Sequence, residues 1–257
     1  KSISYKTSLS YGNVVKLGVV VCTYKREEYV KNLIDIFNKI LLDNKINNKI
    51  DFYIIDNAQS LNLKTENDKI KIIKNKNYGG AGGFTRGIIE SMNNDCTNIL
   101  LMDDDVEIEE EVIKKLFNFL KLLKKEYSEY FISGGMLLKE QMNIQHELTG
   151  KWKLYKNENL RGNKNLSDIK EVLLNEIEHD EKMCYGAWWF CSFSKKNVLK
   201  NGLPFPFFIK GDDIEFSLRN SSKIITLNGL SVWHEDFQKK YSSFLYSGYC
   251  TLIMSSI

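Results

Sequence analysis

The sequence predicts an α/β fold: a Rossmann-like half on a mainly parallel sheet, followed by a mixed half. Three observations carry this expectation. Apolar runs alternate with helical periodicity from residue 14 to residue 125, the pattern of βαβ units with right-handed crossovers. The apolar runs are nearly unbroken, as strands covered on both faces must be. The fourth run ends in three consecutive carboxylates, Asp103, Asp104 and Asp105, which puts charge where open α/β sheets bind their ligands.

In chain order, residues 1–13 are polar and predict a linker or edge strand. Residues 14–22 predict the first strand. Residues 28–42 place Val30, Leu33, Ile34, Phe37 and Leu41 at helical spacing. Strands are expected at 50–55 and 70–73, a helix at 83–92, a strand at 98–102 and an amphipathic helix at 109–125. Beyond Tyr130 the alternation stops. Strands are expected at 131–138 and 187–194, separated by a polar stretch, 139–182, of loops and short helices. A short helix at 212–219 and strands at 223–227 and 231–233 follow. This gives a domain at 14–236, with halves 14–105 and 106–236, and a C-terminal segment, 237–257. The apolar residues 244–254 read as a docking helix for a further domain or a membrane surface, or equally as a truncated core helix. The chain is expected to be a piece of a longer protein.

At 257 residues the chain can bury a substantial core. Its 43% hydrophobic and 27% charged residues are ordinary for a globular protein. The net charge is only +3, and no basic stretch interleaves with aromatics as a base-stacking groove requires, so nucleic acid is not an expected partner. The 5 cysteines are widely spaced and form no Cys-x-x-Cys pair, which argues against a disulfide framework and structural zinc and for a reducing compartment. No apolar run reaches the length of about 18 residues needed to span a bilayer.

Three adjacent like charges repel, so the acidic triplet calls for a cation. Side chains alternate along a strand, so Asp103 and Asp105 are expected to point one way and Asp104 another. Two convergent carboxylates form half of a site for Mg²⁺ or Mn²⁺. A solvated acidic turn capping the next helix is the plainer reading. Residues 77–87 join a strand to a helix through glycines, among them Gly82 and Gly83. Such glycines let backbone approach a ligand and expose N–H groups at a positive helix end; a flexible turn is the alternative. Thr23 and Arg26 follow the first strand, and Asp56 closes the second, all on one sheet edge.

Trp188 and Trp189, in an alternating strand, would face opposite sides. One is expected in the core, and the other as a platform for a sugar ring or as part of a second core or interface. Asp212 and Asp213 follow an aromatic run. A helix cap explains one of them, and a second acid beside apolar surface has the character of a general base. His234, at the end of an apolar strand, is placed to add a nitrogen to the Asp103/Asp105 site.

Taken in order, five blocks resemble the glycosyltransferase family 2 enzymes of GT-A fold, and within them the galactofuranosyltransferases of bacterial polysaccharide assembly. The blocks are Asn-x-Gly-Gly-Ala-Gly-Gly-Phe-x-Arg-Gly at 77–87, Met-Asp-Asp-Asp at 102–105, Trp-Trp-Phe-Cys at 188–191, Phe-Ile-Lys-x-Asp-Asp at 208–213 and Val-Trp-His-Glu at 232–235. The resemblance implies that Asp103, Asp105 and His234 hold Mn²⁺ or Mg²⁺ on a UDP-sugar. It implies that Thr23, Arg26, Asp56, Asn77, Gly82, Gly83, Arg86 and Asp104 contact the donor. Trp188 and Trp189 would line the acceptor site, and Asp213, with Asp212 beside it, would be the base.

UDP-galactofuranose is the implied donor and a glycan or lipid-linked glycan the acceptor. A lipid-linked acceptor would place the protein in the cytoplasm, at the inner face of the plasma membrane. Gly211 departs from the pattern, standing where the galactofuranosyltransferases carry a tryptophan before the acid pair. Two other readings remain at this point: a rhamnosyltransferase or other family 2 enzyme with a different nucleotide sugar, and a catalytically idle nucleotide-sugar-binding module of a larger synthase.

Overall fold

A computed structural model describes residues 12–153, 156–177, 183–220 and 223–235. The first half runs β1 (Leu17–Thr23), α1 (Glu27–Leu41), β2 (Ile50–Asp56), β3 (Ile70–Lys74), α2 (Gly79–Asn93), β4 (Asn98–Asp103) and α3 (Glu110–Leu122). The second half adds β5 (Phe131–Leu138), β6 (Gln141–Glu147), β7 (Thr149–Lys153), β8 (Lys156–Leu160), β9 (Lys164–Asn165), α4 (Ile169–Asn175), β10 (Cys184–Tyr185), β11 (Cys191–Ser194), α5 (Lys195–Asn201), α6 (Asp212–Asn220) and β12 (Ile224–His234). The main sheet has the order β3-β2-β1-β4-β11-β5-β6-β9, with β12 also on β5, and β10-β7-β8 form a smaller sheet.

β1 pairs in parallel with both β2 and β4, so successive crossovers leave β1 in opposite directions. That makes the carboxyl ends of β1 and β4 the topological switch point, the crevice where such sheets take ligands. β11 runs antiparallel to β4 and β5, so one sheet continues through both halves of the chain.

Alternation along the buried strands sorts side chains to two cores. Val19 and Val21 join Phe37 of α1 and Phe117 of α3 on one face, whereas Val20 joins Phe84 and Ile88 of α2 on the other. α2 lies close to the sheet because two glycines let it. A Cβ at Gly87 would fall 2.0 Å from Val20 Cγ1, and one at Gly83 2.2 Å from Cys22 Sγ. Val20 is fully buried and stiff about χ1, so it has nowhere to turn. Gly87→Ala is therefore expected to cost about 1–3 kcal/mol by overpacking, read as a lower midpoint in denaturant unfolding. An unchanged midpoint would mean that α2 lifts without loss.

Several expectations need correction. Among its described residues, the stretch 139–182 carries four strands, β6 to β9, and one helix, α4. Its strands lie at or near a sheet edge, and β6 begins with three exposed residues, so they lack the apolar alternation that marks a strand. The strand expected at 187–194 is only Cys191–Ser194, with the tryptophans in the turn before it. The two strands expected at 223–233 are one, bent by an irregularity between Thr226 and Ser231. The glycine-rich stretch is no loop but the first turns of α2, which starts at Gly79. At the amino end, Gly12 and Asn13 tie to the end of α3 by backbone bonds to Lys121 O. Residues 1–11 and the segment 237–257 lie outside the described residues.

Candidate active site

The triplet meets its cation within the chain. Lys25 takes a left-handed turn at φ 57° after β1, and Arg26 then caps α1. From there the Arg26 guanidinium reaches back across the switch point, with Nη1 2.7 Å from Asp104 Oδ1 and 2.8 Å from Asp105 Oδ2. Asp104 and Asp105 are both buried, and a buried carboxylate without a partner is costly. Arg26 thus supplies the triplet with a cation from within the chain.

Asp105 is shared. Its other oxygen, Oδ1, lies 3.2 Å from His234 Nε2, because Trp233 near the end of β12 is bridged to Glu107, just past the triplet. His234 Nδ1 is 2.5 Å from the Glu235 carbonyl, which can only accept, so Nδ1 carries the proton. With Nδ1 so engaged, Nε2 faces Asp105 and can hydrogen-bond it only as the protonated imidazolium; ligating a metal would require Nε2 to give up that proton. Burial draws the His234 pKa down, but the hydrogen bond and charge of Asp105 outweigh it and the net shift is upward. Asp103, at the end of β4, is pushed up to about 7, first by burial and then by repulsion from Asp105 and Asp104. Among the described residues, no three His, Cys, Asp or Glu side chains converge closely enough to hold a metal ion. Asp105 and His234 are paired; Asp103 stands near them without closing the set. The donor chemistry nonetheless fits a hard cation, since two crowded carboxylates and one oriented imidazole match Mn²⁺ or Mg²⁺.

The acid pair reaches the same crevice from the far end of the chain. Lys210 and Gly211 have φ of 59° and 84° and turn the chain sharply into α6. The left-handed position at 211 favours glycine, which gives a backbone reason for the departure noted above. Asp212 and Asp213 open α6, and Asp213 Oδ1 accepts the Ile214 N–H at 2.8 Å. Burial pushes Asp213 up to about 6, with the helix N–H opposing and Asp103 adding to the rise. Asp212 rises to about 7, through burial and then Asp213. Asp103 and Asp213 therefore feel each other across one cleft.

The start of α2 is docked on the loop that carries these acids. Gly80 N–H donates to Phe208 O at 3.1 Å. Gly79 has φ 74°, and a Cβ there would lie 1.7 Å from the same carbonyl oxygen, so only glycine fits.

Not every expected residue faces the cleft. Asp56 is fully buried, and its two oxygens accept the N–H groups of Ala58 and Leu61 at 3.0 and 2.9 Å; it shapes its own loop. Arg86 pairs with Glu90 at 2.8 Å on the exposed side of α2. Asn77 accepts Gly79 N–H at 3.1 Å, a local turn. Gly82 packs against Tyr78, and Gly83 against β1. Trp188 and Trp189 are both buried: Trp188 packs edge-on against Phe84 and Phe216, and Trp189 donates its N–H to Gly134 O at 2.9 Å. Each indole therefore serves a core, one on either side of the sheet.

Two residues went unforeseen. Asn57 donates to Gly79 O at 2.9 Å and accepts from Asn75 at 2.8 Å, tying β2 to the start of α2. Glu147 on β6 is buried, its Oε1 has no hydrogen-bond partner among the described residues, and its pKa is pushed up to about 8 by burial and then by Asp213. It stands in the weakly patterned stretch, where nothing local marks it.

The comparisons agree with this geometry. The chain is 28% identical over 187 residues to the galactofuranosyltransferase GlfT2 of Mycolicibacterium smegmatis, covering 67% of this chain and 28% of that protein. The Mycobacterium tuberculosis protein of the same name is 27% identical over 191 residues, covering 67% and 29%. The chain thus spans under a third of the length of these relatives. Among solved structures, a mannosyltransferase of Pyrobaculum calidifontis, in complex with GDP-Man and Mn²⁺, superposes with a TM-score of 0.58 at 10% identity, covering 98% of this chain and 66% of the other. S. aureus TarS superposes with a TM-score of 0.54 at 13% identity, covering 86% and 37%. These likenesses show the GT-A fold. The family model for glycosyl transferase family 2 matches residues 18–169, more than half of the chain, which therefore belongs to glycosyl transferase family 2.

Proposed function

We propose that this chain is the catalytic domain of a metal-dependent, inverting glycosyltransferase that uses UDP-galactofuranose. The acceptor in this reading is a glycan or lipid-linked glycan of bacterial surface polysaccharide, met at the cytoplasmic side of the membrane. The observation that carries it is the approach of the buried acid pair to the triplet: Asp213 feels the charge of Asp103, and a Cβ at Gly80, at the start of α2, would lie 3.6 Å from Asp212 Oδ2. In transfer, the acceptor oxygen attacks the anomeric carbon, the bond from that carbon to the diphosphate oxygen breaks, and the electron pair leaves with UDP. Asp213 takes the acceptor proton, for which a carboxylate within hydrogen-bond reach suffices. A divalent cation held by Asp103, Asp105 and His234 would supply Lewis-acid stabilisation of the leaving diphosphate. One base and one displacement give inversion, unlike glycoside hydrolysis, where two carboxylates divide the acid and base work. The galactofuranosyl donor is supported by the names of the curated relatives.

Calorimetric titration of UDP, dTDP and GDP, with Mn²⁺ and then with EDTA, tests the reading. Mn²⁺-dependent binding of UDP alone is the expected result. A preference for dTDP would move the donor to the rhamnose class, and no binding by a folded sample would favour an idle assembly module or dependence on segments outside this chain.

A further inference from the structure

We infer that residues 195–211 form a docking strip for an anionic lipid surface at the rim of the cleft. This stretch holds Lys195, Lys196, Lys200 and Lys210 and no aspartate or glutamate. Its outward side presents Leu199, Leu203, Phe205, Phe208 and Ile209, all exposed, with Leu199 at 67%. The inward side is anchored. Val198 and Phe207 are buried, and Arg219 of α6 holds the Leu203 carbonyl at 3.0 Å. The apolar side chains are thus displayed on a fixed backbone, and the Phe208 carbonyl is the same group that receives Gly80 N–H at the start of α2. The strip therefore ends at the cleft.

The charge pattern selects the occupant. Exposed aromatic and aliphatic side chains among cations, with no acid in the run, suit the boundary between acyl chains and anionic headgroups. Protein interfaces instead favour arginine and are depleted in lysine, and the bases in this strip are all lysine. Leu199, Leu203 and Ile209 offer no stacking face to nucleic acid. Glu129, the acid paired with Lys200 at 3.2 Å, is itself exposed and can give way to a lipid phosphate. Among the described residues no helix is long and apolar enough to cross a membrane, and the strip itself engages only the surface. The inference deepens the proposed function only in placing a lipid-linked acceptor beside the cleft, and does not depend on which donor is used.

Sedimentation of the full chain with phosphatidylcholine vesicles, with and without phosphatidylglycerol, tests it. The expected result is binding to the phosphatidylglycerol vesicles that weakens with salt. The double variant Leu199→Ser/Phe205→Ser should bind them about tenfold less, since each removes an apolar side chain from the lipid contact. Lys196→Glu/Lys200→Glu, surface changes that do not touch the core, should bind at least about tenfold less. UDP titration in solution reports the nucleotide reading separately and should be the same for all of these proteins. Absence of wild-type binding to the anionic vesicles would overturn the inference. So would binding at the wild-type level by both variants, as would a wild-type oligomer in lipid-free solution that Leu199→Ser/Phe205→Ser dissociates.

Discussion

Asp213→Asn is expected to lower transfer by at least about 10²-fold while leaving UDP binding intact. The amide keeps the shape of the side chain and its place at the head of α6, but it cannot take the acceptor proton. The pH profile supplies a second readout. Burial raises Asp213 from the ordinary 3.8 to about 6. The base works only when ionised, so kcat/KM should be full at neutral pH and fall as pH drops through about 6. A profile that stays flat down to pH 5, or an Asp213→Asn variant with wild-type turnover, would remove Asp213 from the role of base. Loss of UDP binding in the same variant would instead point to a structural fault at the start of α6.

The second large effect concerns the cation. Asp105→Asn should weaken Mn²⁺-dependent UDP binding by at least about tenfold and reduce the difference between titrations with Mn²⁺ and with EDTA. His234→Ala should act in the same direction. The asparagine variant is the cleaner of the two, because its one oxygen can still accept from Arg26 while its NH2 donates to a neutral His234 Nε2, which limits the cost of leaving either one unpaired. Identical wild-type titrations with Mn²⁺ and EDTA would refute the metal assignment, whatever the variants did.

Much of the first half was legible in the chain. The buried strands and the helices α1 and α3 carry their periods on their surface, because each must cover a fixed face of one sheet. The acidic triplet was legible for a related reason: three adjacent carboxylates need an explanation wherever they fall. The glycines misled in part. The absence of a side chain serves a ligand approach and a close helix–sheet contact equally, and at Gly83 and Gly87 it serves the contact. What the sequence did not reveal about Asp56 is that its loop engages both carboxylate oxygens through its own N–H groups. β6 to β9 were missed because edge strands half open to water need no apolar alternation, and Glu147 was hidden with them.

By itself, the sequence determined the order of the elements in the first half, the strand that delivers the triplet and the helix that delivers the acid pair. These follow from propensity, periodicity and repulsion between neighbours, which act over a few residues. Only the tertiary structure decided that Arg26 neutralises Asp104 and Asp105, that His234 turns Nε2 to Asp105, that both tryptophans are core and that Asp213 feels Asp103. Those are interactions between groups distant in the chain. They exist only because β1, β4, β12 and α6 bring their ends to one crevice, where burial makes each unpaired charge costly enough to dictate its partner.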